Sequence, residues 1–204
     1  MTSVLNTGDI ASEIMSLEDY LNYDDGTETR YELEDGKLRV MPTESDCNQR
    51  IASFLFVFLA QLGIPFYRLR IGAEVAVSGV RSTVRLPDLT VLTEEGAQAL
   101  VGASRSIVTL DMPPPQLVVE VVSPGKENEN RDYRYKRSQY QARGICEYWI
   151  VDPMQGQITV LNLVEGLYEE AIFKGEKAIA SVLLTKMGQG STLKAAQVFD
   201  AGSH

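Results

Sequence analysis

The stretch PQLVVEVVSPG, residues 115–125, predicts a strand at the centre of a β-sheet. From Leu117 to Val122 every residue is apolar except Glu120. A strand that is apolar on both faces is typical of a sheet that is covered on both sides. The Pro-Gly pair at the end of the stretch is a turn signal, so the strand is predicted over 116–122.

Glu120 is the most informative position in this strand because its charge conflicts with its surroundings. Side chains alternate between the two faces of a strand, so Glu120 shares its face with Val118 and Val122. An unpaired carboxylate there would be strongly destabilising. A buried Arg or Lys, a shifted pKa or a metal ion must compensate the charge. A metal site and a buried ion pair without a catalytic role are therefore both open interpretations.

The sequence on either side of this strand predicts alternating helices and strands. Apolar residues at helical spacing predict a core helix over 45–62, which ends before Gly63 and Pro65. The other predicted elements of the core are strands over 66–78 and 84–92, a helix over 131–143 and a strand in CEYWIVDP, residues 146–153. The order helix, three strands, helix, strand predicts a mixed α/β sheet.

Further elements are predicted outside this core. SLEDYLNY, residues 16–23, predicts a short helix, and Asp35-Gly36 within YELEDGKLRVMP predicts a tight hairpin. QITVLNL and LYEEAIF predict a C-terminal antiparallel hairpin. Repeats and linker-like stretches are absent from the sequence, so we expect a single domain. Its expected parts are a core at about 45–152, an N-terminal helix and hairpin at 16–42 and a C-terminal β extension at 157–200.

The composition restricts the possible chemistry. The 204 residues include 19 Lys+Arg and 28 Asp+Glu, which gives a formal net charge of -9 and argues against a generally basic nucleic-acid or membrane binder. The single histidine is His204, so a His-dependent triad or a His-rich zinc site is not expected. Cys47 and Cys146 are far apart and form no CxxC motif. Any catalysis must therefore use carboxylates, amines, hydroxyls or a bound metal.

Signals for membranes and secretion are weak in this sequence. The apolar run at 51–60 is too short for a membrane span, and MTSVLNTGDI lacks the basic start and apolar core of a secretion signal. We therefore expect a cytoplasmic protein without a membrane partner.

Asp88 is the second candidate for a chemical role. It follows Pro87 in VRLPDLTVL, and a proline inside a strand marks an edge or a bulge, where side chains are often re-aimed. Alternation puts Asp88 on the same face as Leu86 and Thr90. If its strand adjoins the central one, Asp88 and Glu120 could converge on a hard cation such as Mg²⁺ or Mn²⁺, which prefers oxygen ligands.

The predicted helix RDYRYKRSQYQAR, residues 131–143, is the third candidate feature. Asp132, Lys136 and Tyr140 stand within about 80° of each other on one helical face. One interpretation is a solvated face with an Asp132–Lys136 surface pair. The other is that Lys136 reaches a site beside the preceding strand, where its ammonium stabilises negative charge and Tyr140 positions a water or a phosphate. The helix has five basic residues and one acidic residue, which suits a phosphate-bearing substrate.

Five motifs in this order resemble the Uma2 family of restriction-endonuclease-like proteins, which is abundant in cyanobacteria and belongs to the PD-(D/E)XK nuclease superfamily. The motifs are YELEDGKLRVMP, LPDLTVL, PQLVVEVVSPG, RDYRYKRSQY and GICEYWIVDP. The resemblance covers roughly residues 16–152 and the C-terminal hairpin. It implies an αβββαβ core with a mixed central sheet and hydrolysis of phosphodiester bonds with Mg²⁺ or Mn²⁺.

The resemblance also implies roles for particular residues. Asp88 and Glu120 would be metal ligands and catalytic residues. The superfamily lysine normally stands two residues after the second acid, where this chain has Val122. Val122 could still offer its backbone carbonyl to the metal, and Lys136 would supply the catalytic amine from the next helix. Tyr140 and Arg137 would bind the substrate, and Glu32 and Glu74 are lesser candidates for an additional acidic ligand.

Three functional hypotheses follow. The first is a metal-dependent nuclease that acts on nucleic acid, with DNA as the expected substrate. The second is a catalytically inactive nucleic-acid-binding module, which the missing lysine at position 122 and the net charge favour. The third is a homo-oligomeric scaffold in which the C-terminal β region supplies a dimer face. A homodimer is expected in the first case as well.

Overall fold

The computed structural model describes residues 14–188 and 192–203, so the terminal His204 and the first thirteen residues lie outside the described part. Its α-helices are α1 Leu17–Leu21, α2 Asp46–Gln61, α3 Glu94–Ala99, α4 Lys126–Asn130, α5 Arg137–Arg143, α6 Val182–Met187 and α7 Ala195–Gly202, with a 3₁₀ turn at Phe66–Arg68 and a π-helical turn at Arg131–Lys136. Its strands are β1 Tyr31–Glu34, β2 Lys37–Val40, β3 Leu69–Arg70, β4 Glu74–Val77, β5 Thr83–Arg85, β6 Leu89–Val91, β7 Ile107–Val108, β8 Leu117–Val121, β9 Glu147–Asp152, β10 Gln157–Val164 and β11 Leu167–Lys174.

The strands form two mixed sheets, which confirms the predicted mixed α/β class. The six-stranded sheet has the order β11-β10-β9-β8-β6-β3, with β8 parallel to β9 and antiparallel to β6. The five-stranded sheet has the order β2-β1-β5-β4-β7, with β7 parallel to β4. Both predicted hairpins are present, as β1–β2 and β10–β11.

The predicted central strand, β8, is buried on both faces. Leu117, Val119 and Val121 belong to the core that α2 and α7 cover. Val118 belongs to a second core beneath α5, together with Tyr140. Glu120 alternates with Leu117, Val119 and Val121 and therefore faces the α5 side. The prediction from residues 115–125 is confirmed.

The two long strands predicted at 66–78 and 84–92 are each broken, and the prediction of continuous strands is wrong. The first gives way to a turn at Gly72, whose φ of +70° is in the left-handed region. The second breaks at 86–88, where Pro87 has no N–H for a ladder hydrogen bond. At each break the chain passes from one sheet to the other, since β3 and β6 lie in the six-stranded sheet and β4 and β5 in the five-stranded one.

Three further differences concern helices. The stretch 93–115, for which no helix or strand was predicted, contains α3 and β7. The helix expected over 131–143 begins five residues earlier, at α4. The extension expected as β over 157–200 also contains the helices α6 and α7, and Ala195 and Val198 of α7 pack into the core beneath α2. In the described ranges, every helix is too short or too polar to cross a membrane.

Candidate functional site

The two predicted acidic residues lie opposite each other on neighbouring strands. In the β6–β8 pair, Leu89 is opposite Val119. Continuing this antiparallel register by one residue brings Asp88 opposite Glu120. Directly opposed residues share a face, with Cβ atoms about 4.5–5.5 Å apart. The register therefore puts the two acidic residues on the same face of neighbouring strands.

Asp88 is a half-buried carboxylate with little compensation of its charge. Its Oδ2 accepts a 2.6 Å hydrogen bond from the Val121 amide. Burial, followed by the charges of Glu120 and Glu44, raises the pKa of Asp88 well above its usual range. The amide hydrogen bond and Lys136 act in the opposite direction and do not cancel this effect. A positive charge beside Asp88 would restore its ionised form.

Glu120 is held by two side chains from the following helical segment. The Lys136 ammonium lies 2.6 Å from Oε2, and the Tyr140 hydroxyl donates a 2.6 Å hydrogen bond to Oε1. Burial raises the pKa of Glu120 to about 7 even though Lys136 lowers it, because the carboxylates of Asp132 and Glu32 also raise it. Each carboxylate oxygen has a second lone pair, so these contacts leave room for another ligand.

Lys136 joins three carboxylates in the interior. Besides Glu120, its Nζ lies 3.3 Å from Asp132 Oδ1 and 3.7 Å from Glu32 Oε1. Burial disfavours the ammonium, but these three negative charges outweigh that effect and raise the pKa of Lys136 above its usual value. Lys136 is therefore a buried, permanently charged amine beside the second acid.

Asp132 and Lys136 both lie in the π-helical turn at Arg131–Lys136 and both point inward. Asp132 and Lys136 are only 2% and 1% exposed. The interpretation of these two residues as a solvated surface pair is therefore wrong.

Glu32 belongs to the same buried network through the five-stranded sheet. Its Oε2 lies 2.9 Å from Arg85 Nη1, and its Oε1 accepts a hydrogen bond from the Leu86 amide. Burial raises the pKa of Glu32, but the charges of Lys136 and Arg85 more than offset this and lower it to about 2. Glu32 therefore contacts both the Lys136 ammonium and the Leu86 amide, which lies at the start of the segment 86–88 that contains Asp88.

A cavity of about 210 Å³ opens beside Asp88. Its wall includes Glu44, which precedes α2, and Gln49, which lies in the first turn of α2. It also includes Arg30, the residue before β1. The Arg30 guanidinium covers Gly72, where an added Cβ would lie 2.7 Å from Nη2. Glu120 does not line this cavity, because Lys136 and Tyr140 enclose its carboxylate.

The backbone that faces Asp88 belongs to Val121 and not to Val122. The Val121 amide donates to Asp88, and the Val121 carbonyl accepts a 3.3 Å hydrogen bond from Asn48 Nδ2. The Val122 amide instead donates to Val151 of β9. Because the N–H and C=O of one residue point to the same side of a strand, the Val122 carbonyl is directed away from Asp88. The backbone ligand expected at Val122 is therefore better assigned to Val121.

Other predicted site residues lie elsewhere. Glu74 forms two hydrogen bonds, of 2.6 and 2.7 Å, with the Arg105 guanidinium. The ion pairs of Lys136 are with Glu120, Asp132 and Glu32 and do not include Glu74. Arg137 pairs at 2.6 Å with Glu170 on the outer surface of β11. Tyr140 is fully buried, so it contacts Glu120 and offers no surface to a substrate.

Two residues that the sequence analysis missed complete the site. Asn48, in the first turn of α2, donates hydrogen bonds to Val121 O, Ser123 Oγ and Glu44 Oε2. Arg85 is fully buried and carries the charge that faces Glu32. Arg85 could have been identified from the sequence, because it is a basic residue in a strand that is otherwise largely apolar. Asn48 gave no such signal, since its partners Val121 and Ser123 are 73 and 75 residues away along the chain.

The donor set suits a hard divalent cation. Asp88, Glu120 and the Val121 carbonyl offer only oxygen atoms, which Mg²⁺ and Mn²⁺ prefer. The raised pKa of Asp88 indicates a carboxylate whose charge lacks compensation, as expected for a cation ligand. Among the residues that the structure describes, three or more acidic, histidine or cysteine side chains are nowhere grouped as a ready metal cage. Mg²⁺ commonly retains several waters, so two carboxylates are compatible with this chemistry.

Comparisons with known proteins agree with this architecture. A crystal structure of "a putative nuclease belonging to DUF820" from Anabaena variabilis ATCC 29413 superposes with a TM-score of 0.68 at 15% identity, over 92% of this chain and 99% of that chain. At this identity the likeness shows a shared fold. No curated protein sequence matches this chain. The model of the Uma2 family, described as "Putative restriction endonuclease", matches residues 17–193. Because this match spans most of the sequence, the chain belongs to the Uma2 family of restriction-endonuclease-like proteins.

Proposed function

We propose that this protein is a divalent-metal-dependent nuclease that hydrolyses phosphodiester bonds of nucleic acid, with DNA as its substrate. The observation that carries the proposal is the register that brings Asp88 opposite Glu120, with the Lys136 ammonium 2.6 Å from Glu120. An amine that arrives from the helix takes the place of the lysine that is absent at position 122.

Each residue has a distinct task in this proposal. Asp88, Glu120 and the Val121 carbonyl would hold Mg²⁺ or Mn²⁺. When bound, such an ion polarises a phosphoryl oxygen and lowers the pKa of an attacking water. Lys136 favours the ionised form of Glu120, because the ammonium lowers the pKa of that carboxyl. Tyr140 fixes the carboxylate orientation through its hydrogen bond to Oε1.

The cavity beside Asp88 would receive the scissile phosphate. Arg30 is the cationic residue in its wall, and a guanidinium can form two parallel hydrogen bonds with a phosphate. Gln49 adds an uncharged amide from α2. Glu44 repels a bare phosphate, so binding in this cavity is expected to need the divalent cation.

The test compares substitutions in the site with a matched control. Asp88→Asn, Glu120→Gln and Lys136→Met should each reduce cleavage by about 100-fold or more with Mg²⁺ or Mn²⁺, because each removes charge stabilisation or a ligand. Asp152→Asn alters a buried aspartate at the end of β9, outside the site, and should retain cleavage. Cleavage of DNA and RNA is followed on gels, and circular dichroism verifies folding.

Two outcomes would contradict the proposal. One is wild-type cleavage by folded Glu120→Gln protein. The other is equal cleavage with excess chelator and with Mg²⁺, since the ion is assigned an essential part.

A catalytically inactive nucleic-acid-binding module is the second candidate. The observation in its favour is that Lys136 and Tyr140 engage both oxygens of Glu120, which does not line the cavity. Such a module would bind oligonucleotides with an affinity that falls with salt while leaving every strand intact. The cleavage assay above separates the two candidates directly.

We also propose a homodimer that forms through β11. This eight-residue strand is an edge of the six-stranded sheet and carries a partly exposed Ile172 and an exposed Leu167. Unpaired strand edges are templates for pairing with another chain. Sedimentation equilibrium tests the dimer and, together with an absence of binding and cleavage, would identify the scaffold that the third sequence hypothesis describes.

A further inference from the structure

A second cavity, of about 330 Å³, adjoins the one beside Asp88 and has no part in the proposed chemistry. Arg30, Gly72 and Leu86 line both cavities, so the two lie next to each other along one side of the molecule. The second cavity is built by α1, the segment that follows it and the start of β1. We call it the tyrosine cavity, since Tyr20, Tyr23 and Tyr31 line it.

Two of the three tyrosines present partly exposed aromatic rings. Tyr23 and Tyr31 meet edge to face, with ring centroids 5.6 Å apart. Tyr20 is buried, and its ring is covered by the Arg105 guanidinium at 4.5 Å. Tyr20 therefore forms the floor, while the Tyr23 ring offers a face on which a flat ring could stack, with the Tyr31 ring perpendicular beside it.

Two carboxylates that line the tyrosine cavity, those of Asp24 and Asp25, are hydrogen-bond acceptors on the segment that follows α1. Asp25 accepts hydrogen bonds from the Tyr31 hydroxyl and from Thr27. Asp24 Oδ1 accepts from the Gly26 amide, and its Oδ2 has no partner within residues 14–188 and 192–203. These carboxylates repel phosphate and suit an amino group. Arg30, at the junction with the Asp88 cavity, has the opposite charge and suits phosphate.

We propose that the tyrosine cavity binds one amino-bearing nucleobase of the strand whose phosphate occupies the Asp88 cavity. The base stacks on Tyr23, its exocyclic amine donates to Asp24, and Arg30 binds the phosphate between the cavities. A paired base in a duplex has its faces covered, so the occupant is a single-stranded or extruded base. This inference rests on the proposed function, because it takes the substrate to be nucleic acid.

The test uses a single-stranded oligonucleotide of about ten nucleotides that carries one 2-aminopurine, with Ca²⁺ in place of Mg²⁺ so that binding is measured without cleavage. 2-Aminopurine has an exocyclic amine, and its fluorescence falls on stacking. Wild-type protein should quench it. Tyr23→Ala should weaken binding about 10-fold and abolish the quenching, whereas Tyr23→Phe keeps the ring and should retain both.

Tyr67→Ala is the matched control. Tyr67 is also a partly exposed tyrosine whose hydroxyl donates to a carboxylate, Glu94, but it lies outside both cavities. Its removal should leave affinity and quenching at the wild-type level. An oligonucleotide with an abasic site should bind wild type and Tyr23→Ala equally well.

Two results would overturn the inference. One is equal affinity of the wild-type protein for the abasic and the base-bearing oligonucleotides. The other is the same loss of quenching in Tyr67→Ala as in Tyr23→Ala. The binding assay uses Ca²⁺ and does not require cleavage, so wild-type protein that fails to cut DNA should still quench the probe if the base site is correct. Failure of the base site and failure of the nuclease proposal are therefore distinguished.

Discussion

Lys136 is buried beside three carboxylates, so removing its ammonium would leave their negative charge uncompensated in the interior. Lys136→Met should lower the free energy of unfolding by about 3–5 kcal/mol, because breaking a buried pair leaves an uncompensated charge. Adding Glu120→Gln should recover part of this loss, since the neutral amide no longer needs the ammonium. Urea unfolding of the single and double variants measures both effects.

The matched control for this substitution is Lys186→Met. Lys186 is exposed near the end of α6 and should change the unfolding free energy by less than about 0.5 kcal/mol. Additive losses in the Lys136→Met/Glu120→Gln double variant would show that the two side chains do not stabilise one another.

Glu32 makes stability depend on acid pH. Its pKa is about 2 in the folded protein against an ordinary value of 4.5. The carboxylate therefore contributes stability above pH 4.5, and this contribution is lost as the pH falls from 4.5 towards 2. Between pH 5 and pH 2, measured about every half unit, Glu32→Gln should lose less unfolding free energy than wild type. Parallel pH curves for the two proteins would contradict this prediction.

The sequence identifies some site residues because their chemistry conflicts with their local pattern. Glu120 in an apolar strand is such a case, and the resemblance singles out Lys136 and Asp88. The partners of these residues could not be read in the same way. Asp132 looked like a surface residue because the local pattern does not show which face of its helix packs against the sheets. Asn48 acquires its role only when α2 packs against β8.

Glu147, the first residue of β9, is predicted to anchor α6. Its Oε2 accepts a hydrogen bond from the Leu183 amide in the first turn of α6, and its Oε1 accepts one from Trp149 Nε1. Glu147→Leu removes both acceptors and leaves buried N–H groups unpaired, at about 1–3 kcal/mol for each. We expect faster amide hydrogen exchange in α6. Glu95→Leu, on the exposed side of α3, should leave that exchange unchanged.

Helices and strands with a regular pattern of apolar residues were predictable from the sequence. The points at which the chain passes from one sheet to the other were not. The helical spacing in α2 and the apolar run of β8 reflect faces that are buried along their whole length. The stretches at 66–78 and 84–92 are apolar on both sides of their breaks, so local pattern reads each as one strand. Only the packing of two separate sheets requires the turn at Gly72 and the link at 86–88.

The net charge of -9 predicts how the whole molecule should respond to salt. Arg30 is the cation that joins the two cavities, and Arg105 is already paired with Glu74. In this arrangement the two cavities offer few free cationic side chains that could neutralise phosphates of a bound oligonucleotide. Oligonucleotide affinity in Ca²⁺ should therefore fall with a slope of about -1 to -2 in log K against log salt. A slope steeper than about -5 would require a basic surface that the two cavities do not have.

The three-residue link Leu86-Pro87-Asp88 joins strands that belong to different sheets. Asp88 sits at the far end of this link, whereas Glu120 is carried by the six-stranded sheet alone. Glu32, from the five-stranded sheet, accepts a hydrogen bond from the Leu86 amide at the other end of the link. A shift of the five-stranded sheet would therefore be transmitted through the link to Asp88, whereas Glu120 would stay with the six-stranded sheet.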